Sequence, residues 1–230
     1  LIDGGGSVNY SVGEKTLKPY LLKNGVRDID LAAATHLHTD HYRGITELAE
    51  CFDVRREIIS GRAGQVLNGP GGRKIEILWP LEARDVSDLK EEDENMDENL
   101  YSMIFKVYCR GFTVLITGDI TAEGEKALVE HYRGTGKLKA DVLKVAHHGS
   151  RYSTCDEFLD AVDPEIGVIG VGKNNYGHPA DEVIEKLTEN DIIVYRTDVH
   201  GAIGLREEDG RIKVCTRKRE STHLRFFPRM

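Results

Sequence analysis

The sequence predicts a mixed α/β fold in which β-sheets are covered by helices. Three observations lead there. Short β-rich runs alternate with helical patterns along the whole chain. Apolar runs end abruptly on polar residues able to do chemistry: Val114-Leu115-Ile116 runs into Thr117-Gly118-Asp119, and Val142-Leu143-Lys144-Val145 runs into Ala146-His147-His148. A chain of 230 residues, 40% hydrophobic and 30% charged, suits an ordinary globular core, and it shows no internal linker and no repeat. One domain over 1–230 is therefore expected.

The elements follow in order. Gly4-Gly5-Gly6 succeeds a strand-like Leu1-Ile2-Asp3. Glu14 to Lys23 reads as a helix with Leu17, Tyr20 and Leu21 on one side. Asp30 to Thr35 is a short apolar strand. Ile45 to Phe52 is helical, and Arg55 to Ser60 is a strand. Gly69-Pro70-Gly71-Gly72 is a turn before a strand at Lys74 to Leu78. Glu91 to Glu98 is a dense acidic run, read as a solvated loop. The alternative is that Asp97, Glu98 or Asn99 reaches a metal site. Tyr101 to Tyr108 and Phe112 to Thr117 form a hairpin around Arg110-Gly111. Helices are expected at Glu123 to His131, Glu157 to Val162 and Asp181 to Leu187. Strands are expected at Asp141 to Ala146, Ile166 to Val171, Ile192 to Tyr195, Ala202 to Arg206 and Arg211 to Thr216.

Composition narrows the function classes. The net charge of −8 argues against a broad groove for nucleic-acid backbone, which needs a cation for each phosphate contacted. It does not exclude a nuclease, because bound divalent ions supply local positive charge. No apolar run is long enough for a membrane span, and no signal peptide is recognised. Cys51, Cys109, Cys155 and Cys215 are far apart and form no zinc-ribbon pair, so they read as incidental thiols of a reducing compartment.

The strongest chemical signal is His36-Leu37-His38-Thr39-Asp40-His41. Histidines at i and i+2 of an extended segment point to one side. Asp40 and His41 follow where a helix begins, so they turn toward a second point. That spacing suits two adjacent metal ions, and imidazole with carboxylate suits zinc, manganese or iron. Asp119, His147, His148 and His178 then stand at or beyond the ends of core strands, where rigid elements hold ligands closely. Each alone has a plain explanation: Asp119 as a helix cap, His178 as a turn residue before Pro179. Together with the first cluster, they favour a metal centre.

These motifs resemble the metallo-β-lactamase superfamily: the His-x-His-x-Asp-His run, Thr117-Gly118-Asp119 and the opening Leu1-Ile2-Asp3-Gly4-Gly5. More narrowly, Asp141 to Ser150, Tyr176-Gly177-His178-Pro179, Tyr195-Arg196-Thr197-Asp198 and Gly201-Ala202-Ile203 resemble the hydrolase domain of ComEC-like competence proteins and their stand-alone relatives. The resemblance implies an αββα sandwich of two mixed β-sheets flanked by helices, with two divalent metal ions at one edge. By position, it implies that His36, His38 and one histidine of the His147-His148 pair, His148 by preference, hold one ion, Asp40, His41 and His178 the other, and that Asp119 bridges them. Asp40 and His147 become the catalytic candidates, with His147 facing substrate. Asp3 becomes an outer carboxylate that orients a ligand.

The sequence departs from the family twice. The ligand histidine that simpler members place before the Thr-Gly-Asp strand has no counterpart around Asp93 to Asn99, and His147-His148 takes that role in this branch. The family's usual first strand pair, with its Gly-Gln-Gly-Asp element, does not precede Leu1. The expectation is a domain lacking its first strands, by truncation or by loss of part of the first sheet.

Gly167 to Asn174 nearly matches a phosphate-binding loop, but Asn174 replaces the required Ser or Thr and no helix is expected to start there. Lys173, Asn174 and Asn175 are instead candidates to touch a substrate phosphate or to fix the His178 loop. Ser150 and Ser153 have no evident general base. His131, His200 and Cys155 read as packing or surface residues.

The resulting expectation is a binuclear metal-dependent hydrolase, with zinc or manganese, that cleaves phosphodiesters, DNA among them, by metal-bound hydroxide. The resemblance adds a DNA-uptake setting, with single-stranded or nicked DNA the first substrate class and a membrane channel preceding this domain in a longer protein. Soluble cytoplasmic and membrane-tethered locations both stay open. Two alternatives stand beside it: a small phosphoester or lactone hydrolase, such as a phosphocholine esterase, and a metal-binding accessory domain of a DNA-uptake protein without catalysis.

Overall fold

The computed structural model describes residues 1–69, 73–83 and 98–217. The Pro70 to Gly72 part of the predicted turn and the acidic run up to Asp97 lie outside the described residues. The chain divides into two compact units, one of residues 1–65 and 77–104, the other of 66–76 and 105–230.

The first unit opens on Ile2, which bridges Ala33 in parallel. A π-helical turn, Gly13–Leu17, runs directly into helix α1, Lys18–Lys23, close to the predicted helix. Strands β1, Asp28–Ile29, and β2, Ala32–Ala33, are far shorter than the apolar run suggested. Helix α2, Thr39–Ala49, starts earlier than its apolar period implied. Its first turn carries Asp40 and His41, so the polar start is hidden from a hydrophobic-period reading. Strands β3, Asp53–Val54, and β4, Glu57–Ile58, pair in parallel with β1 and β2 respectively. Ile29, Ala32, Ala34 and Ile45 form the core of this unit.

Glycines explain how α2 lies against the opening loop. A Cβ on Gly44 would stand 2.1 Å from the Gly4 carbonyl oxygen, and one on Gly4 would stand 2.5 Å from the Ile45 nitrogen. The two backbones touch, and Gly4 N–H donates to His41 O at 2.7 Å. That contact fixes Asp3 beneath the first turn of α2.

The second unit is built on a seven-stranded sheet in the order β11-β10-β9-β8-β7-β6-β5. Its strands are β5, Val66–Asn68; β6, Lys74–Trp79; β7, Ile104–Cys109; β8, Phe112–Ile116; β9, Val142–Lys144; β10, Ile166–Ile169; and β11, Ile193–Arg196. The first residues of β6 belong to this unit. The predicted β7-β8 hairpin forms, Val107 opposite Val114. From β8 to β11 all neighbours are parallel, so their carboxyl ends share one edge, the usual ligand edge of such sheets. In register, Ile116 lies beside Lys144 and Lys144 beside Val168.

Helices α3, Ala122–His131; α4, Asp156–Val162; α5, Asp181–Glu189; and α6, Thr197–His200, connect or follow these strands. A hairpin of β12, Ile203–Glu208, and β13, Arg211–Thr216, turns through Asp209 and Gly210. Both turn residues have positive φ, as a two-residue hairpin turn matched to strand twist requires. Val214 packs with Phe112, Val142, Ile166 and Tyr195 in the core of this unit. Ile166 to Val171 is a strand at its start, and among the described residues no helix begins at Asn174, so the phosphate-loop reading stays rejected.

Candidate metal centre

In the first unit, His36 and His38 lie on the extended segment leading into α2, and Asp40 and His41 lie in its first turn. His36 and His41 are buried, whereas His38 and Asp40 are exposed. The carboxylate of Asp3 organises the group. Its Oδ1 accepts the Thr35 backbone N–H at 2.7 Å; its Oδ2 accepts the Thr35 hydroxyl at 3.0 Å and His41 Nδ1 at 2.8 Å. Thr35 has a single hydroxyl hydrogen. Having donated it to Asp3, Oγ1 accepts from His36 Nδ1, 3.0 Å away. Both rings therefore carry their hydrogen on Nδ1, and Nε2 becomes the lone-pair nitrogen.

That tautomer is the one a ligating histidine needs, held by the carboxylate behind it as metal sites require. His36 Nε2 stands 2.9 Å from His38 Nδ1, and the His36 and His41 rings are 4.2 Å apart between centroids. Thr35 was missed by the sequence reading; its only signal is a hydroxyl residue directly before a histidine pair.

The second unit gathers Asp119, His147, His148 and His178 at the carboxyl edge of its sheet. Asp119 is 3% exposed and follows β8 through Gly118. The Thr117 hydroxyl donates to Lys144 O at 2.7 Å, and His147 N–H donates to Gly118 O at 3.0 Å, so the loops after β8 and β9 are stitched together. His148 Nδ1 donates to Gly170 O at 2.6 Å, which makes Nε2 its lone-pair nitrogen, 3.6 Å from Asp119 Oδ2. His147 Nε2 is 3.9 Å from the same oxygen. Among the described residues, His147 Nδ1 is buried with no hydrogen-bond partner.

The histidine pair does not continue a strand. His147 (φ 48°), His148 (φ 54°) and Gly149 (φ 82°) form a left-handed turn. For a non-glycine residue this region costs about 1–2 kcal/mol, so two in succession store strain beside the acidic group. The turn replaces strand alternation, which would have sent the two rings to opposite faces, and brings both near Asp119.

Gly149 also lets the next loop close. A Cβ there would lie 2.6 Å from Pro179 Cβ, and Ala180 N–H donates to Gly149 O at 2.9 Å. His178 thereby comes beside the turn, its ring 5.7 Å from that of His147. Burial lowers the pKa of His147, with His148, His178 and Lys144 adding to the effect and Asp119 opposing it. Burial likewise lowers that of His178, aided by His148 and Arg151. Both rings stay neutral near pH 7, the form that binds metal.

The amide of Asn174 serves its own loop. Its Nδ2 donates to Gly172 O and His178 O at 3.0 and 2.8 Å, and its Oδ1 accepts Tyr176 N–H and His178 N–H at 3.0 and 3.1 Å. Lys173 and Asn175 are exposed on that loop. Thr197 holds the near end: its Oγ1 accepts Val171 N–H and donates to Val171 O, both at 2.7 Å. Ser153 donates to Ile120 O, and His200 Nδ1 accepts Arg196 N–H at 3.0 Å, in keeping with packing roles.

The donor set fits divalent metals in each unit. His36 and His41 in one, and His148 in the other, present Nε2 from rings anchored at Nδ1, and Asp40 and Asp119 add carboxylates. No helix among the described residues is long and apolar enough to cross a membrane.

The family model of the metallo-β-lactamase superfamily matches residues 1–173. ComE operon protein 3 of Bacillus subtilis is 32% identical over 90% of this chain and 30% of its own length. Competence protein ComA of Neisseria gonorrhoeae is 35% identical over 80% of this chain and 26% of its own. The chain thus spans about 30% or less of the length of these relatives. Among solved structures, the metallo-β-lactamase fold protein YhfI of Bacillus subtilis aligns at 13% identity, covering 86% of this chain and 83% of that one, with a TM-score of 0.47. The chain belongs to the metallo-β-lactamase superfamily.

Proposed function

We propose that the two ligand sets act in one metallo-hydrolase domain that holds two divalent ions, zinc or manganese, and hydrolyses phosphodiesters, with DNA the first substrate class to try. His36, His38 and His148 would hold one ion and Asp40, His41 and His178 the other, with the Asp119 carboxylate shared between them. The observation that carries the reading is the shared wiring of His36, His41 and His148, each of which donates Nδ1–H to a protein acceptor and so presents Nε2 to a ligand site. When bound, such ions stabilise charge on phosphoryl oxygens and generate a nucleophile from water at neutral pH.

The protein supplies the rest. Asp3 and Thr35 keep His36 and His41 in one tautomer. Asp40 orients the attacking water. His147 faces the substrate, and the leaving-group proton comes from its imidazolium form or from water. Similarity to competence proteins supports DNA, and a DNA-uptake setting, ahead of other phosphodiesters. A second reading, a hydrolase of small esters such as choline phosphodiesters, is favoured by the net charge of −8, which suits a long polyanion poorly.

The test is turnover by the metal-loaded chain on single-stranded DNA, duplex DNA, cyclic nucleotides and choline phosphodiesters, with bis(p-nitrophenyl) phosphate as a general probe. Chelator-sensitive cleavage of DNA supports the reading. A fully loaded chain that cleaves only small esters supports the second reading, and one silent on every substrate is a metal-binding accessory domain.

A further inference from the structure

Two of the most exposed large hydrophobic side chains in the described residues are Tyr152, 71% exposed, and Tyr176, 85% exposed. Both belong to the second unit, on the loops that follow the neighbouring parallel strands β9 and β10. Tyr152 closely follows His147 and His148, and Tyr176 closely precedes His178. An isolated exposed aromatic needs no explanation. These two differ in how rigidly their backbones are held.

For Tyr176, the Asn174 amide closes the loop through four hydrogen bonds, one of them accepted from Tyr176 N–H itself, and Thr197 anchors Val171 by both its N–H and C=O. The Tyr176 ring lies near-parallel to that of His178, at 23° with centroids 6.1 Å apart, and remains largely in solvent. For Tyr152, the backbone carbonyl accepts Ala122 N–H at 2.8 Å and the N–H donates to Ser150 Oγ at 3.3 Å. The next residues are held from within: the Ser153 hydroxyl donates to Ile120 O, and buried Glu125 accepts the N–H groups of Thr154 and Cys155, each at 2.8 Å. Fixed backbone with a ring in water is a costly way to arrange a surface and a low-entropy way to offer a stacking face. Exposed Arg151 and Lys173 stand on the same two loops in a chain whose net charge is −8.

We infer that Tyr152 and Tyr176 are stacking platforms for unpaired bases on either side of the scissile phosphodiester, with Arg151 and Lys173 meeting the flanking backbone. Aromatic faces beside cations are how proteins bind single-stranded nucleic acid without reading its sequence, whereas paired bases in a duplex offer no open face. The inference rests on the phosphodiesterase reading and adds to it the two side chains that recognise unpaired bases.

The experiment measures binding of a short oligothymidylate, of an abasic oligomer of equal length and charge, and of a duplex. Calcium is used throughout, so that binding is read apart from cleavage. The intact chain should bind the oligothymidylate about 10-fold more tightly than the abasic strand. Y176A should lose most of that preference while binding the abasic strand as before, and Y152A should lose part of it. Y176W should keep the preference, and its indole fluorescence should be quenched by oligothymidylate and not by the abasic strand. Equal affinity of the intact chain for both strands, or an undiminished preference in Y176A, overturns the inference. An intact preference without cleavage in zinc or manganese sinks the catalytic reading and leaves the stacking surface standing.

Discussion

Asp3 Oδ2 accepts a hydrogen bond from His41 Nδ1 at 2.8 Å across most of the first unit's opening sequence. The same carboxylate holds Thr35 by backbone and hydroxyl, and through it His36. One acid thus sets the tautomer of two candidate ligands. In D3N the amide can present N–H to His41 Nδ1 and push the hydrogen to Nε2. Metal affinity should fall about 10- to 100-fold, read by competition with a chromophoric chelator. T35V should lose affinity as well, because His36 Nδ1 then faces no acceptor.

The left-handed turn separates the two histidines of the pair. His148 is anchored at Gly170 O and presents Nε2, whereas His147 Nδ1 has no such anchor. H148A should therefore bind metal more weakly and recover part of its turnover in excess metal. H147A should keep its metal and lose turnover about 10²- to 10⁴-fold. Metal titrations and rates of both variants decide the assignment, and the reverse pattern would exchange the two roles.

The contact between Gly44 and Gly4 is backbone against backbone. G44A places a Cβ 2.1 Å from the Gly4 carbonyl oxygen, so α2 must move off the loop that carries Asp3. A loss of about 1–3 kcal/mol in denaturant unfolding is expected, together with weaker metal binding. A stable variant with unchanged affinity would show that Asp3 does not depend on this contact.

Glu125 is fully buried, and burial raises its pKa to about 7 against the hydrogen bonds from Cys155 and Thr154. Its pKa when folded lies above the unfolded value near 4.5, so the folded chain holds the proton more tightly. The stability this confers is fully present below pH 4.5 and is lost as pH rises through about 7. Unfolding free energies across that window should decline with pH. In E125A the decline should flatten, and the variant should lose about 2 kcal/mol or more because two backbone N–H groups are left without their acceptor. A slope unchanged in E125A would move the titration to another group.

Much of this was legible in the chain. Apolar runs announced β8, β9 and β10, and the polar residues just past their ends, Asp119, His147 and His148, lie at the sheet edge that the parallel topology of the structure makes common to them. Family membership came from motifs, because only a few residue types serve a metal site. Backbone detail was harder. The onset of α2 at Thr39 was legible from the metal-ligand spacing at Asp40 and His41 and not from the apolar period, because its first turn is polar. No local signal marks His147 and His148 as left-handed, since neither is a glycine and the turn is imposed by contacts with Gly118 and Gly170. The Tyr195 to Asp198 motif was visible without its purpose; Thr197 proves to be the anchor of Val171.

The central claim is that seven side chains, His36, His38, Asp40, His41, Asp119, His148 and His178, hold two ions per chain. Elemental analysis of the zinc- or manganese-loaded chain after removal of excess metal tests it most directly. The account predicts a content approaching two per chain, falling toward one in H178A. Saturation at a single ion, with H178A unchanged, would contradict it.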